Sequence, residues 1–128
     1  MIRENFNTGA PWEAIVGYSR AVRIGKHIEV SGTVSVKDGK PYGVGDAYAQ
    51  TRCILEIIGQ ALSYYDCDYN AVIRTRIYVR DISKNWEAIG KAHGEVFAEI
   101  RPATSMVEVS ALIAPEYLVE IEATAVIE

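Results

Sequence analysis

The stretch AVRIGKHIEVSGTVSV, residues 21–36, decides the fold class. Val22, Ile24, Ile28, Val30, Val34 and Val36 stand at even positions, His27, Glu29, Ser31 and Thr33 stand between them, and Gly25–Lys26 interrupts the run. Side chains on a strand alternate between faces, so this period of two predicts a strand pair with one apolar and one polar face. An apolar sheet face needs a covering layer, and the chain downstream supplies it.

After Lys37-Asp38-Gly39-Lys40-Pro41, an Asp-Gly turn signal reinforced by Gly43 and Gly45, Asp46 is placed to cap a helix. Ala47, Thr51, Ile54, Ile58, Ala61 and Tyr65 recur at threes and fours, widened by Leu55 and Leu62, which predicts an amphipathic helix of about five turns. Ile73, Thr75, Ile77 and Val79 then alternate with Arg74, Arg76, Tyr78 and Arg80, a third strand. Asp81 and Ser83 offer caps for a second helix, whose stripe is Trp86, Ile89, His93, Val96, Phe97 and Ile100, and Pro102 stops it. Strands over Ala103–Val109 and Leu118–Ile127 complete an expected ββαβαββ order. The predicted class is α+β: one domain over residues 1–128, a mixed sheet with both helices on one face. The loop at 37–45 has room for a further short strand.

Composition narrows the function classes. Thirteen Lys and Arg against seventeen Asp and Glu give a net charge of −4, so no basic field gathers phosphates and nucleic-acid binding is disfavoured. No apolar run reaches the length of a signal peptide or a membrane span, so no membrane association and a cytoplasmic address are expected. Cys53 and Cys67 lack CxxC spacing and read as reduced packing thiols. His27 and His93 have no second ligand at metal spacing, so no metal site is expected. Gly43 and Gly45 without GK[ST] are turns, and serine-nucleophile signatures are absent.

Parity places Glu29, Ser31, Thr33, Arg74, Arg76, Arg80, Thr104, Glu108, Glu120 and Glu122 on the uncovered face. That face is polar but mixed in sign. Two readings stand open: a solvated sheet face, or an interface between copies of the chain whose arginines and glutamates pair across it and enclose polar clefts.

RPATSMVEVSALIAPEYLVEIEATAVI at 101–127, with YSRAV at Tyr18–Val22, VSG at Val30–Gly32 and TRIYVRDI at Thr75–Ile82, resembles the reactive intermediate deaminase (Rid) family, also called YjgF-like or L-PSP endoribonuclease-like. The resemblance runs from about Tyr18 to Ile127. It implies a chorismate-mutase-like homotrimer with a central β-barrel, helices outside and clefts at the subunit interfaces. It further implies hydrolysis of enamines and imines such as 2-aminoacrylate to keto acids and ammonia, with no metal or organic cofactor.

Residue by residue, the resemblance makes Glu120 the group that positions the attacking water, against an interface salt bridge as its plain alternative. Tyr18 matches the tyrosine on the loop over the cleft, or is a core aromatic. Ser31 and Gly32 match the Ser-Gly where backbone N–H groups approach a carboxylate, or Gly32 relieves crowding in a twisted strand. Met106 stands where many members have cysteine, and Thr104 stands where the deaminases carry the arginine that grips the substrate carboxylate. A neutral hydroxyl in place of a guanidinium fork loses about 1.5–3 kcal/mol, which puts the usual 2-aminoacrylate activity in question. Arg20 and Arg76 are candidates for a displaced anion contact or for structural ion pairs. Arg101 is a third, set against a role closing the preceding helix.

The expected function is therefore binding of a small planar carboxylate or imine in interface clefts, with enamine or imine hydrolysis. The alternatives are a non-catalytic ligand-binding or regulatory module and, least favoured by charge, an endoribonuclease.

Overall fold

The computed structural model describes residues 1–128. Eight strands and two long helices follow one another as β1 (Arg3–Phe6), β2 (Ala21–Ile24), β3 (His27–Thr33), β4 (Val36–Lys37), β5 (Lys40–Pro41), α1 (Ala47–Tyr64), β6 (Val72–Val79), α2 (Ile82–Phe97), β7 (Ala103–Glu108) and β8 (Val119–Val126). Six of the strands make one sheet in the order β1-β2-β3-β8-β6-β7, antiparallel except for the parallel pair β6 and β7. The α+β class, the mixed sheet and the two helices on one face are as the sequence predicts.

The covered face is one core. Ile28 and Val30 of β3, Val119, Ile121 and Ala123 of β8, and Ile77 and Val79 of β6 meet Ile54, Leu55, Ile58 and Leu62 of α1 and Ile89 and Phe97 of α2. Each fully buried aliphatic side chain contributes about 1.5–3 kcal/mol relative to exposure. Asp46 caps α1 as expected, its carboxylate accepting from Ala49 N at 2.9 Å.

Several elements differ from the sequence prediction. The N-terminal β1 is an added edge strand, and the loop at 37–45 holds the short β4–β5 hairpin, turned by Asp38 and Gly39 with φ of 52° and 75°. Two left-handed residues in a two-residue turn match the twist of a hairpin. Asp81 starts α2 in a left-handed conformation (φ 52°) and makes no side-chain cap. The Ile82 N–H there is satisfied by Glu108 Oε1 at 3.0 Å. Trp86 is 51% exposed, and the buried stripe of α2 runs instead through Asn85, Ile89, Ala92 and Phe97.

Two register shifts move side chains between faces. Between Val30 and Thr33 the pairing with β8 slips, so three steps on β3 oppose two on β8. An extra residue reverses parity beyond it. Thr33, expected on the polar face, is 1% exposed. A second slip between Val72 and Arg74 turns Ile73 outward, 51% exposed, although the alternation predicts it inside. No helix is long and apolar enough to cross a membrane.

Candidate functional site

Beside the slip in β3 lie Glu120 and Arg20, two charged side chains without an ion pair in the chain. Gly32 lies in the slip opposite Glu120 of β8, and a methyl group at Gly32 would overlap Glu120 Oε2 and come within 3.1 Å of Cδ. The missing side chain is therefore the space that the carboxylate occupies. Glu120 is half-buried and makes no hydrogen bond or ion pair within the chain. Burial first, then the like charge of Glu122, push its pKa above the usual carboxylate value, with Arg20 pulling the other way.

Arg20 stands just before β2 and reaches Gly32. Its Nη2 donates to Gly32 O at 2.6 Å, and its guanidinium lies 5.9 Å from the centre of the Tyr18 ring. Burial lowers its pKa, opposed by Tyr18, Glu13 and Glu120. The loop carrying Tyr18 and Arg20 is anchored from both ends. Ser31 Oγ donates to Ser19 O at 2.6 Å, and Ser31 N donates to Arg20 O at 3.0 Å. Upstream, a π-helical turn at Glu13–Gly17 ends with Tyr18 N donating to Glu13 O at 3.0 Å. The buried Glu13 side chain in turn accepts from Thr8 Oγ1 at 2.5 Å and Thr8 N at 3.0 Å. Single π turns recur at functional sites because they re-aim the residue that follows.

Beside this cluster the open face of the sheet is a closed network. Thr124 Oγ1 donates to Glu29 Oε1 at 2.7 Å and accepts from Arg76 Nη1 at 3.3 Å, while Arg76 Nε lies 3.6 Å from Glu122 Oε1. Tyr78 OH donates to Glu122 Oε1 at 3.1 Å. The network occupies Arg76 and Glu122 and leaves Glu120 outside it.

Of the sequence candidates, Tyr18, Arg20, Ser31, Gly32 and Glu120 come together, and Arg76 borders them. Thr104, Met106 and Arg101 do not join them. Thr104 pairs with Thr75 across β6 and β7, and their hydroxyls meet at 2.7 Å. Thr75 is fully buried and also contacts His93 Nε2 of α2 at 2.9 Å, so Thr104 faces the helix layer and not the polar face that parity gave it. Ser105 takes the polar side, accepting from Arg74 Nη2 at 2.9 Å. Met106 packs against the core edge. Thr104 is thus two strands across the sheet from Glu120, about 10 Å, three residues along it, level with Ala123 of β8, and on the other face. Arg101 is exposed with φ 56° and closes α2 through its main chain, N to Phe97 O at 2.8 Å, in place of a side-chain charge at the helix end.

Sequence reasoning missed Glu13 and the pairing of Thr75 with His93. Glu13 carried no signal, being one acid in a Gly- and Pro-containing opening. The second was visible in outline: a threonine on the apolar face of a strand and a histidine on the apolar stripe of a helix are two polar groups that burial drives together.

The architecture is that of the YjgF-like α+β class. A crystal structure of a Mycobacterium tuberculosis member of the YjgF/YER057c/UK114 family is 48% identical with a TM-score of 0.89, covering 98% of this chain and 100% of that one. The chain belongs to the Rid/YjgF-like family, residues 8–127 matching the endoribonuclease L-PSP family model. It is also similar to the 3-aminoacrylate deaminase RutC of Acinetobacter baylyi, 35% identical over 109 residues, 84% of this chain and 85% of the relative. The mouse 2-iminobutanoate/2-iminopropanoate deaminase is 29% identical over 127 residues, 98% of this chain and 93% of the relative.

Proposed function

We propose that the protein binds a small planar imine or enamine at clefts between copies of itself and hydrolyses it to a keto compound and ammonia. The observation that carries this reading is Glu120: half-buried, without a partner, its pKa raised. A carboxyl group in that state takes a proton from a water molecule as the water adds to the C=N carbon. It hands that proton to the nitrogen to give a carbinolamine, then takes the carbinolamine hydroxyl proton and delivers it to the amine nitrogen as the C–N bond breaks, releasing the carbonyl and ammonia. Overall, an imine plus water gives a carbonyl and ammonia, a balance that calls on no metal or organic cofactor. The deaminase names of the two relatives support the reaction class.

A homotrimer with its sheets forming a central barrel is part of the same proposal. Within one chain Thr104 and Met106 stand on the edge strand β7, two strands from the β8 that carries Glu120, so a second copy is needed to bring family-matched positions into one cleft. Sedimentation giving three times the chain mass supports the assembly, and a stable monomer at micromolar concentration refutes it. Turnover is tested by generating imino acids in situ and timing keto-acid release. A rate equal to buffer for 2-aminoacrylate and for neutral imines removes the enzymatic reading.

A second reading, a ligand-binding or regulatory module without turnover, is favoured by Thr104, whose hydroxyl is engaged by Thr75 where the family arginine is expected. Thermal stabilisation by a keto acid, with no consumption of any imine, would select it.

A further inference from the structure

Three arginines are candidates for the cation that replaces the one missing at position 104, and their surroundings separate them. Arg76 is held by Glu122 and Thr124 in the closed network. Arg101 is exposed, outside the cluster, and bound only through its main chain. Arg20 has neither condition. Its five N–H donors make one hydrogen bond, to Gly32 O, and no carboxylate pairs with it. Its Nε is the sole buried side-chain nitrogen or oxygen in the chain without a partner. Nη1 also lacks a partner but is not enclosed, so it is open to an incoming group.

Leaving a guanidinium partly buried and under-satisfied is costly, and such cost is found where a ligand supplies the missing acceptor. The approach is prepared on every side. Tyr18 presents its ring beneath the guanidinium, Ser31 ties down the loop that carries it, and Gly32 O fixes Nη2. We infer that Arg20 is the carboxylate anchor of this protein, so that an acidic substrate lies with its carboxylate against the Tyr18–Arg20 loop of the chain that supplies Glu120. Specificity for acids then resides at position 20, and Thr104, turned toward Thr75, takes no part in it. Guanidinium matches a carboxylate through parallel N–H donors, which lysine cannot reproduce.

The inference rests on the ligand-binding reading above, and the experiment keeps the two apart. Binding of pyruvate and of its neutral analogue pyruvamide is measured by calorimetry on the full-length protein, wild type and variants. The wild type is expected to prefer pyruvate. Arg20→Gln should weaken pyruvate by about 10- to 100-fold, the loss of a charge-assisted contact, and leave pyruvamide within about threefold of wild type. Arg20→Lys should fall between, and Arg101→Gln should match the wild type. Should Arg20→Gln fail to fold by circular dichroism, Arg20→Lys and the Arg20 Nε–H resonance of the wild type decide instead, since pyruvate should shift that resonance. Wild-type binding of pyruvate that survives Arg20→Gln within twofold, or leaves the Nε–H resonance unmoved, overturns the anchor alone. Failure of the wild type to bind either compound overturns the binding reading and the anchor with it.

Discussion

Gly32→Ala isolates the feature on which the site is built. The added methyl would overlap Glu120 Oε2 and lie 3.1 Å from Cδ. The carboxylate must then retreat by roughly 1 Å to regain contact distances near 3.5 Å. Gly32 does not use a left-handed backbone, so alanine brings no conformational strain and reduces the entropy of the unfolded chain, worth about 0.4–1 kcal/mol. Stability in urea is therefore expected to stay within about 1 kcal/mol of wild type. A misplacement of about 1 Å in a catalytic group costs about 100-fold in rate, and that is the expected loss in keto-acid release from an imine generated in situ. The cause is checked with a cycle: in a Glu120→Ala background, Gly32→Ala should cost nothing more, because the atom it displaces is gone. Full activity in the single variant, or losses that simply add in the double one, would refute the reasoning.

Four further outcomes follow from local geometry. Glu120 holds its proton more tightly folded than unfolded, so its contribution to stability is full below the ordinary carboxylate value of 4.5 and is lost as pH rises through the raised one. Glu120→Gln should therefore gain thermal stability relative to wild type as pH is raised from about 4 to 8. His93 shows the opposite sign, because burial lowers its pKa below 6.5. Its imidazole resonance should titrate below that value, with stability lost as pH falls through the lowered midpoint. Thr75→Val leaves His93 Nε2 without its partner and should cost about 1–3 kcal/mol in urea unfolding. Asp46→Ala removes the cap of α1 and should cost about 0.5–2 kcal/mol in the same assay.

The core was legible in the sequence because burial and periodicity report the same thing. Ile54, Leu55, Ile58, Leu62, Ile77, Val79, Val119 and Ile121 needed only their spacing to be placed. What escaped were features in which one residue changes the count. Nothing in the composition of Ser31–Gly32 or Ile73 reveals that pairing slips there, yet each slip moves the following side chains across the sheet. β1 escaped because Arg3–Phe6 is four residues long and largely exposed, so no alternation marks it. Thr104 was misplaced for a different reason. Parity has no origin on an edge strand without core residues, and only the pairing with Thr75 in β6 fixes which way β7 points.

The slip that was hardest to read is also the one that makes the site. A side chain at position 32 would displace Glu120, and Glu120 forms no ion pair of the kind that Arg76 makes with Glu122 at 3.6 Å. Such a pair would draw the Glu120 pKa down and spend both charges on each other. Here Gly32 touches both, with its carbonyl taking Nη2 of Arg20 and its bare α-carbon admitting the carboxylate. Burial then raises the pKa of the acid while the cation retains donors to offer. If Glu120 activates water and Arg20 holds an anion, as proposed above, the two must not neutralise each other, and in this chain both touch Gly32 without forming an ion pair.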